Sequence, residues 1–427
     1  MAQELLQLIR ADRKPALGVT EPAAIALACA AARELSEEEP ESVELLENSG
    51  MYKNAYTCGL PGTDKVGNLY AAALGTLAGR ADKGLLSLTD ITPEDVERSR
   101  RFVAEGRVKA GVSSVSSDIY ILARVRTAHD LCEAEIRGSH TNICRKSKNG
   151  VTVREKPADA AVEGEKSPIV GYTLADFYRC AATAPAEELA FLRESWQMNL
   201  ALAEAARQAE RCVLTKSLLR ANGGTFVSDD ARASARALAG AAAEGRVLGL
   251  DKPAMSITGS GNHGIIAVMP LYALQQVEAL PEELLWRGIC LSYLVTMYMK
   301  EFSGKLSAFC GCGIAAGTGM ACGLTLMRGG GYEQVTATLN NMAASLVGMI
   351  CTGGNHACCM KVLSAVDTAF SSSDLALAGS FVSPEHGVGG RTPEETMRNV
   401  GRIAVPGMVE TERVILDIMQ EKGGAAE

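Results

Sequence analysis

Cys310, Cys351 and Cys358 stand in glycine-rich, nearly charge-free segments, Ser307-Ala-Phe-Cys-Gly-Cys-Gly313 and Met349-Ile-Cys-Thr-Gly-Gly-Asn-His-Ala-Cys-Cys-Met-Lys361. In a reducing compartment clustered cysteines gain little from disulfides and point instead to metal or redox chemistry. Three thiolates on a four-iron, four-sulfur cluster leave one iron open, and an open iron is a Lewis acid. Such a site suits elimination, in which the metal polarises a leaving group while a base removes a proton. The Cys351-x6-Cys358 spacing is wider than the Cys-x2-Cys of zinc ribbons. Spacing alone does not select the ligands. Cys290, Cys312, Cys322 and Cys359 lie close by in sequence, and free cysteines also serve as small hydrophobes in tight helical cores.

Three further loops carry polar side chains beside glycine. Gly18-Val-Thr-Glu-Pro22 opens a helix, with Thr20 as cap and Pro22 in the first turn. Thr258-Gly-Ser-Gly-Asn-His-Gly264 feeds a second helix, without the lysine of a Walker A loop or the preceding strand of a dinucleotide fingerprint. Gly138-Ser-His-Thr-Asn142 follows an expected strand, and Pro61-Gly-Thr63 reads as a turn. Helix N-termini present unpaired N–H groups, so three of them meeting on one anion would explain Gly18–Pro22, Gly259–Gly264 and Thr352–Asn355 together. Thr20, Glu21, His140, Thr141, Asn142, Ser260, Asn262 and Asn355 are therefore the candidate substrate-binding residues. Helix-packing turns and a hydrogen-bonded strand-end histidine would look the same in sequence.

The elements that must carry these loops follow from composition and period. At 427 residues, with 47% hydrophobic and 22% charged side chains, the chain is globular and long enough for two or three cored domains. A net charge of −8, from 42 basic and 50 acidic side chains, argues against nucleic acid as the main partner. Thirteen cysteines, an odd number, and a charged N-terminus fit a reducing cytoplasm. Leu306–Met327 and Gln334–Met360 lack charge over a membrane-spanning length, but their Gly, Ala, Ser, Thr, Cys and Asn content reads as tightly packed helix in a soluble core.

The expected fold class is α+β: a large, mostly α-helical catalytic domain with a smaller α+β subdomain. Residues 1–40 are read as N-terminal helices packing with the catalytic domain, 41–157 as the α+β subdomain, and 158–427 as the helical iron–sulfur domain. Strands are expected at 118–127, 131–137 and 151–155, with a hairpin turn at Lys148-Asn-Gly150. Helices are expected at 67–79 and 93–105, and from 172 onward along most of the chain. Residues 158–168 read as a polar connector.

Pro15-Ala-Leu-Gly-Val-Thr-Glu-Pro22, Pro61-Gly-Thr63, Gly138-Ser-His-Thr-Asn-Ile143, Gly259-Ser-Gly-Asn262, Leu306-Ser-Ala-Phe-Cys310 and Met349-Ile-Cys351 with Cys358-x-Met-Lys-Val362 together resemble the L-cysteine desulfidase family. That family is related to the alpha chain of iron–sulfur L-serine dehydratases. The resemblance runs in order along nearly the whole chain. It implies a [4Fe-4S] cluster on Cys310, Cys351 and Cys358, and loss of sulfide from L-cysteine by β-elimination to give pyruvate and ammonia without pyridoxal phosphate. L-Serine, losing water, is the parallel substrate. The partner implied is a small amino or hydroxy acid, with room for a homodimer.

One departure from the family matters. Val19 stands where the family has the cysteine assigned as the base, and valine cannot accept a proton. Glu21 is then a candidate catalytic residue beside His140, His263 and His356. Two other readings stay open: a lyase for another small carboxylate, or a cluster-carrying sensor without catalysis.

Overall fold

In the computed structural model, which describes residues 1–156 and 167–422, the chain folds around two large hydrophobic cores, with a small third cluster of Ala308, Ile415 and Met419. The expected connector at 158–168 lies mostly outside the described residues, as do five of the last six residues. The fold is α+β and mostly helical.

Eight strands are present among the described residues: β1 (Lys14–Leu17), β2 (Ser42–Asn48), β3 (Val108–Ser114), β4 (Tyr120–Arg126), β5 (Leu131–Arg137), β6 (Ile143–Lys148), β7 (Val151–Glu155) and β8 (Pro253–Ser256). Six form one sheet in the order β3-β2-β4-β5-β6-β7, with β2 and β3 parallel and every other pair antiparallel. The register sets Ile121 opposite Ile136, Ala123 opposite Ala134 and Val125 opposite Cys132, so their side chains share the buried face. The other face is charged, with Arg124 bonded to Glu44 and Glu133, and Arg145 to Glu135. The hairpin turn places Asn149 and Gly150 at φ 51° and 80°, as a two-residue hairpin loop with right-handed strand twist requires.

The buried face packs on helices Thr20–Arg33 and Gly67–Ala78, whose Ala24–Ala32 and Ala71–Leu74 stretches belong to the smaller core. Leu5, Leu6 and Ile9 of helix Ala2–Asp12 enter the helical core, but Thr20–Arg33 covers the sheet. The apolar side chains of that helix surround it almost completely, so its sequence carries no stripe to say which core it joins. β1 interrupts the expected helical run and pairs with β8, lacing the N-terminal segment to the helical domain.

The larger core gathers helices Ala231–Val247, Gly261–Val277, Glu282–Lys300, Gly317–Met327, Tyr332–Leu346 and His356–Leu377. Among the described residues, no helix is long and apolar enough to cross a membrane. The two charge-free stretches are broken by a loop and a π-turn, Cys312–Ala316, and by the turn before His356.

One buried group in the smaller core predicts a pH effect. Glu47 on β2 is fully buried and neither carboxyl oxygen has a hydrogen-bond partner, so burial pushes its pKa well above the carboxylate range. The folded chain therefore keeps its proton where the unfolded chain has lost it. Stability falls as pH rises past about 4.3, by about 1.4 kcal/mol per unit while Glu47 stays protonated. Glu47→Gln is neutral at every pH, so its stability relative to the native chain should climb between about pH 5 and about pH 7 in denaturant unfolding. Parallel pH curves would show that the carboxyl ionises freely in the fold.

Candidate functional site

The two cores meet at a cavity of about 600 Å³. Its wall takes Glu21 from the helix Thr20–Arg33, His140 from the β5–β6 turn, Ser260 from the helix start before Gly261, and Cys310, Cys312, Cys351 and Cys358 from the glycine-rich loops. A more open hollow of about 790 Å³ lies over the outer face of Ala2–Asp12 and has no thiol or histidine in its wall.

Backbone constraints shape the cysteine wall. Gly353 sits at φ 97°, and a Cβ there would collide with the Lys53 carbonyl. Gly311 lets the loop run against His263, whose Nε2 would stand 2.7 Å from an added Cβ. The chain then enters the π-turn Cys312–Ala316, an irregularity frequent at functional sites. Phe309 bridges Ile350, and the Cys310 N–H donates to the Met349 carbonyl at 3.0 Å, so two distant cysteine loops lie side by side.

The thiols differ in environment. Cys310 accepts from the Gly313 N–H at 3.5 Å and shares a hydrogen bond with Cys312, which brings its pKa down to about 6 and drives that of Cys312 up. Burial pushes Cys358, whose thiol donates to the Gly353 carbonyl, up to about 12. Cationic groups stand next to them: the Lys300 amine donates to the Gly304 carbonyl at 2.8 Å, and the Lys361 amine to Thr352 Oγ1 at 3.0 Å. Burial lowers the Lys300 pKa, opposed by Cys312, Cys351 and Cys310.

Across the cavity, Glu21 is only 7% exposed and its Oε1 accepts from Asn54 Nδ2 at 3.0 Å. His140 Nε2 lies 4.0 Å from the same oxygen and has no hydrogen-bond partner. Burial lowers the His140 pKa, Lys305 pushes the same way, and Glu21 opposes them. His263 is buried, and its Nδ1 pairs with Thr258 Oγ1 at 2.6 Å. Its pKa falls well below the usual histidine value through burial and the nearby Lys300 and Arg246.

The structure thus brings Glu21, His140, Ser260, His263 and the three cysteines to one cavity wall, and it places Thr20, Thr141, Asn142, Asn262, Asn355 and His356 elsewhere. Asn355 caps its helix by accepting from the Ala357 N–H at 2.9 Å. Asn142 closes the β-turn by donating to the Arg137 carbonyl at 3.1 Å, and Thr141 is exposed beside it. Thr20 donates to the Gly259 carbonyl at 3.4 Å, joining two helix starts. Asn262 is buried behind the wall, its Oδ1 unpartnered. At Asn355 and Asn142 a helix cap and a turn closure consume side chains that sequence offers as ligand-binding, since short polar residues bond nearby backbone groups first. His356 points to Glu244, at 3.4 Å, away from the cavity wall. Asn54, Lys300, Lys305 and Lys361 were not foreseen. Lys361 ends one of the glycine-rich cysteine segments and Lys305 precedes the other, while Asn54 and Lys300 come from helices whose sequence gives no sign of the site, so only convergence marks them.

Residues 82–417 match the family described as serine dehydratase alpha chain. The chain belongs to that family. Among the relatives, a UPF0597 protein of Clostridium botulinum is 38% identical over 426 residues, covering 98% of each chain. UPF0597 proteins of Caldanaerobacter subterraneus and Methanocella arvoryzae are 34% and 35% identical, covering 98% and 97% of each chain.

Proposed function

We propose that this protein is an iron–sulfur-dependent lyase that needs no pyridoxal phosphate and eliminates the β-substituent of L-cysteine or L-serine. The observation that carries the reading is the wall shared by the cysteine loops and the Glu21–His140 pair. Among the described residues, no three His, Cys, Asp or Glu side chains sit close enough to hold a single metal ion. A cluster asks for something else: each iron takes its own thiolate, so its ligands stand apart around the cube. Thiols from separate loops around one cavity fit that demand, and Lys300 and Lys361 offset their charge. Cys310, Cys351 and Cys358 would hold a [4Fe-4S] cluster, which supplies a Lewis-acidic iron for the leaving group when bound.

The chain's own residues do the rest. His140 is neutral near pH 7 because burial depresses its pKa, and its free Nε2 faces Glu21 across the wall. It accepts the α-proton, with Glu21 beside it to stabilise the imidazolium that forms. The first turn after Ser260 offers backbone N–H groups to the substrate carboxylate. Val19, by contrast, is 4% exposed and packs toward Gly354, off the cavity wall. Val19→Cys should therefore change turnover by less than about threefold, since a proton-transfer group is worth ~10²–10⁴. A gain of tenfold or more would return proton transfer to position 19.

The direct test is anaerobic reconstitution with iron and sulfide, followed by assays for pyruvate, ammonia and sulfide with L-cysteine and L-serine. Pyruvate formed in proportion to bound iron is the expected result. A loaded protein that turns over neither amino acid would favour another small carboxylate as substrate, or a sensor.

A further inference from the structure

We infer that Asn54 is a positioning residue that fixes the Glu21 carboxylate, which stands beside the His140 base, and the thiol of Cys351 in one frame. Three stretches of chain meet on this residue. Its Nδ2 donates to Glu21 Oε1 at 3.0 Å, its Oδ1 accepts from the Cys351 thiol at 3.7 Å, and its backbone carbonyl accepts from the Gly354 N–H at 3.1 Å. Asn54 also faces the cavity.

Its own placement is firm. The helix Ser49–Ala55 is anchored by its neighbour Lys53, which is 1% exposed, pairs with Glu412 at 2.5 Å and donates to the Ser307 carbonyl at 2.9 Å. The same Lys53 carbonyl is the atom that excludes a side chain at Gly353. One buried helix turn therefore sets the cysteine loop on one side and the helix start of Glu21 on the other. Capping alone would need only the backbone contact to Gly354. The amide adds a link between the two chemical halves of the cavity: its NH₂ serves the Glu21 carboxylate and its oxygen the Cys351 thiol. Outer partners of this kind orient ligands, and hydrogen bonds to cluster sulfurs tune reduction potential.

The inference rests on the lyase reading above, so its test separates the two. Asn54→Ala and Asn54→Asp are reconstituted as full-length protein beside the native chain and Cys351→Ala. Both Asn54 variants should bind near-native iron, lower kcat about 10- to 100-fold with KM within about threefold, and shift the cluster's midpoint potential away from the native value. If Asn54→Ala does not fold, Asn54→Asp, of nearly the same shape, decides the matter. A folded variant with native kcat and native potential overturns the positioning role. Native turnover in Cys351→Ala would instead overturn the lyase reading, while the potential shift would still decide the contact between Asn54 and Cys351.

Discussion

His140→Gln is expected to lower kcat by ~10²–10⁴, with KM changing far less, because the lost group acts on the proton in flight and not on substrate binding. The reason is geometric. His140 Nε2 is buried and unpartnered in the free protein, and it stands 4.0 Å from Glu21 Oε1. A buried polar atom without a partner is costly, and an arriving substrate would relieve that cost.

The pH dependence follows with its sign. Only neutral imidazole accepts a proton, and burial and Lys305 lower the His140 pKa against the pull of Glu21. The acid limb of kcat/KM should accordingly lie below the ordinary histidine value of about 6.5. Glu21→Gln removes the influence that raises this pKa, so the limb should move to still lower pH as the rate falls. The pH profiles of the native protein and both variants check this. A native kcat in His140→Gln would assign the base to another residue.

The second large effect concerns the cluster. Cys351→Ala, Cys358→Ala and Cys310→Ala are each expected to lose most bound iron and acid-labile sulfide on reconstitution and to lower turnover by more than about 10²-fold. Cys312→Ala is expected to keep both. This comparison is informative because Cys310 and Cys312 share a hydrogen bond and both face the cavity. Proximity does not separate them, and the preference for Cys310 comes from the family pattern. Iron retained in Cys310→Ala but lost in Cys312→Ala would reverse the assignment.

Much was legible in sequence where the information is local. The helix starting at Gly261 follows its glycine-rich loop, and the hairpin at Asn149-Gly150 follows from two residues that tolerate positive φ. Helices Gly67–Ala78, Glu282–Lys300 and Gly317–Met327 follow from runs of good helix formers and small residues that let them pack closely. Helix Ser49–Ala55 was not legible: it follows β2 directly and spans only seven residues, too short for a period to show.

The sequence by itself determined the class of chain, the existence of an α+β part and a helical part, and a cysteine-bearing loop set whose order matches a family. Its information ended at contacts between distant segments. Tertiary structure decided that Thr20–Arg33 covers the sheet, that Asn355 and Asn142 serve the backbone, and that Asn54 stands between Glu21 and Cys351. The physical reason is that propensity, capping and turn chemistry act over a few residues, whereas a cavity wall is assembled from side chains 33 and 297 positions apart. Which of several similar polar groups faces that wall is set by close packing of the two cores, and no short stretch of the chain encodes it.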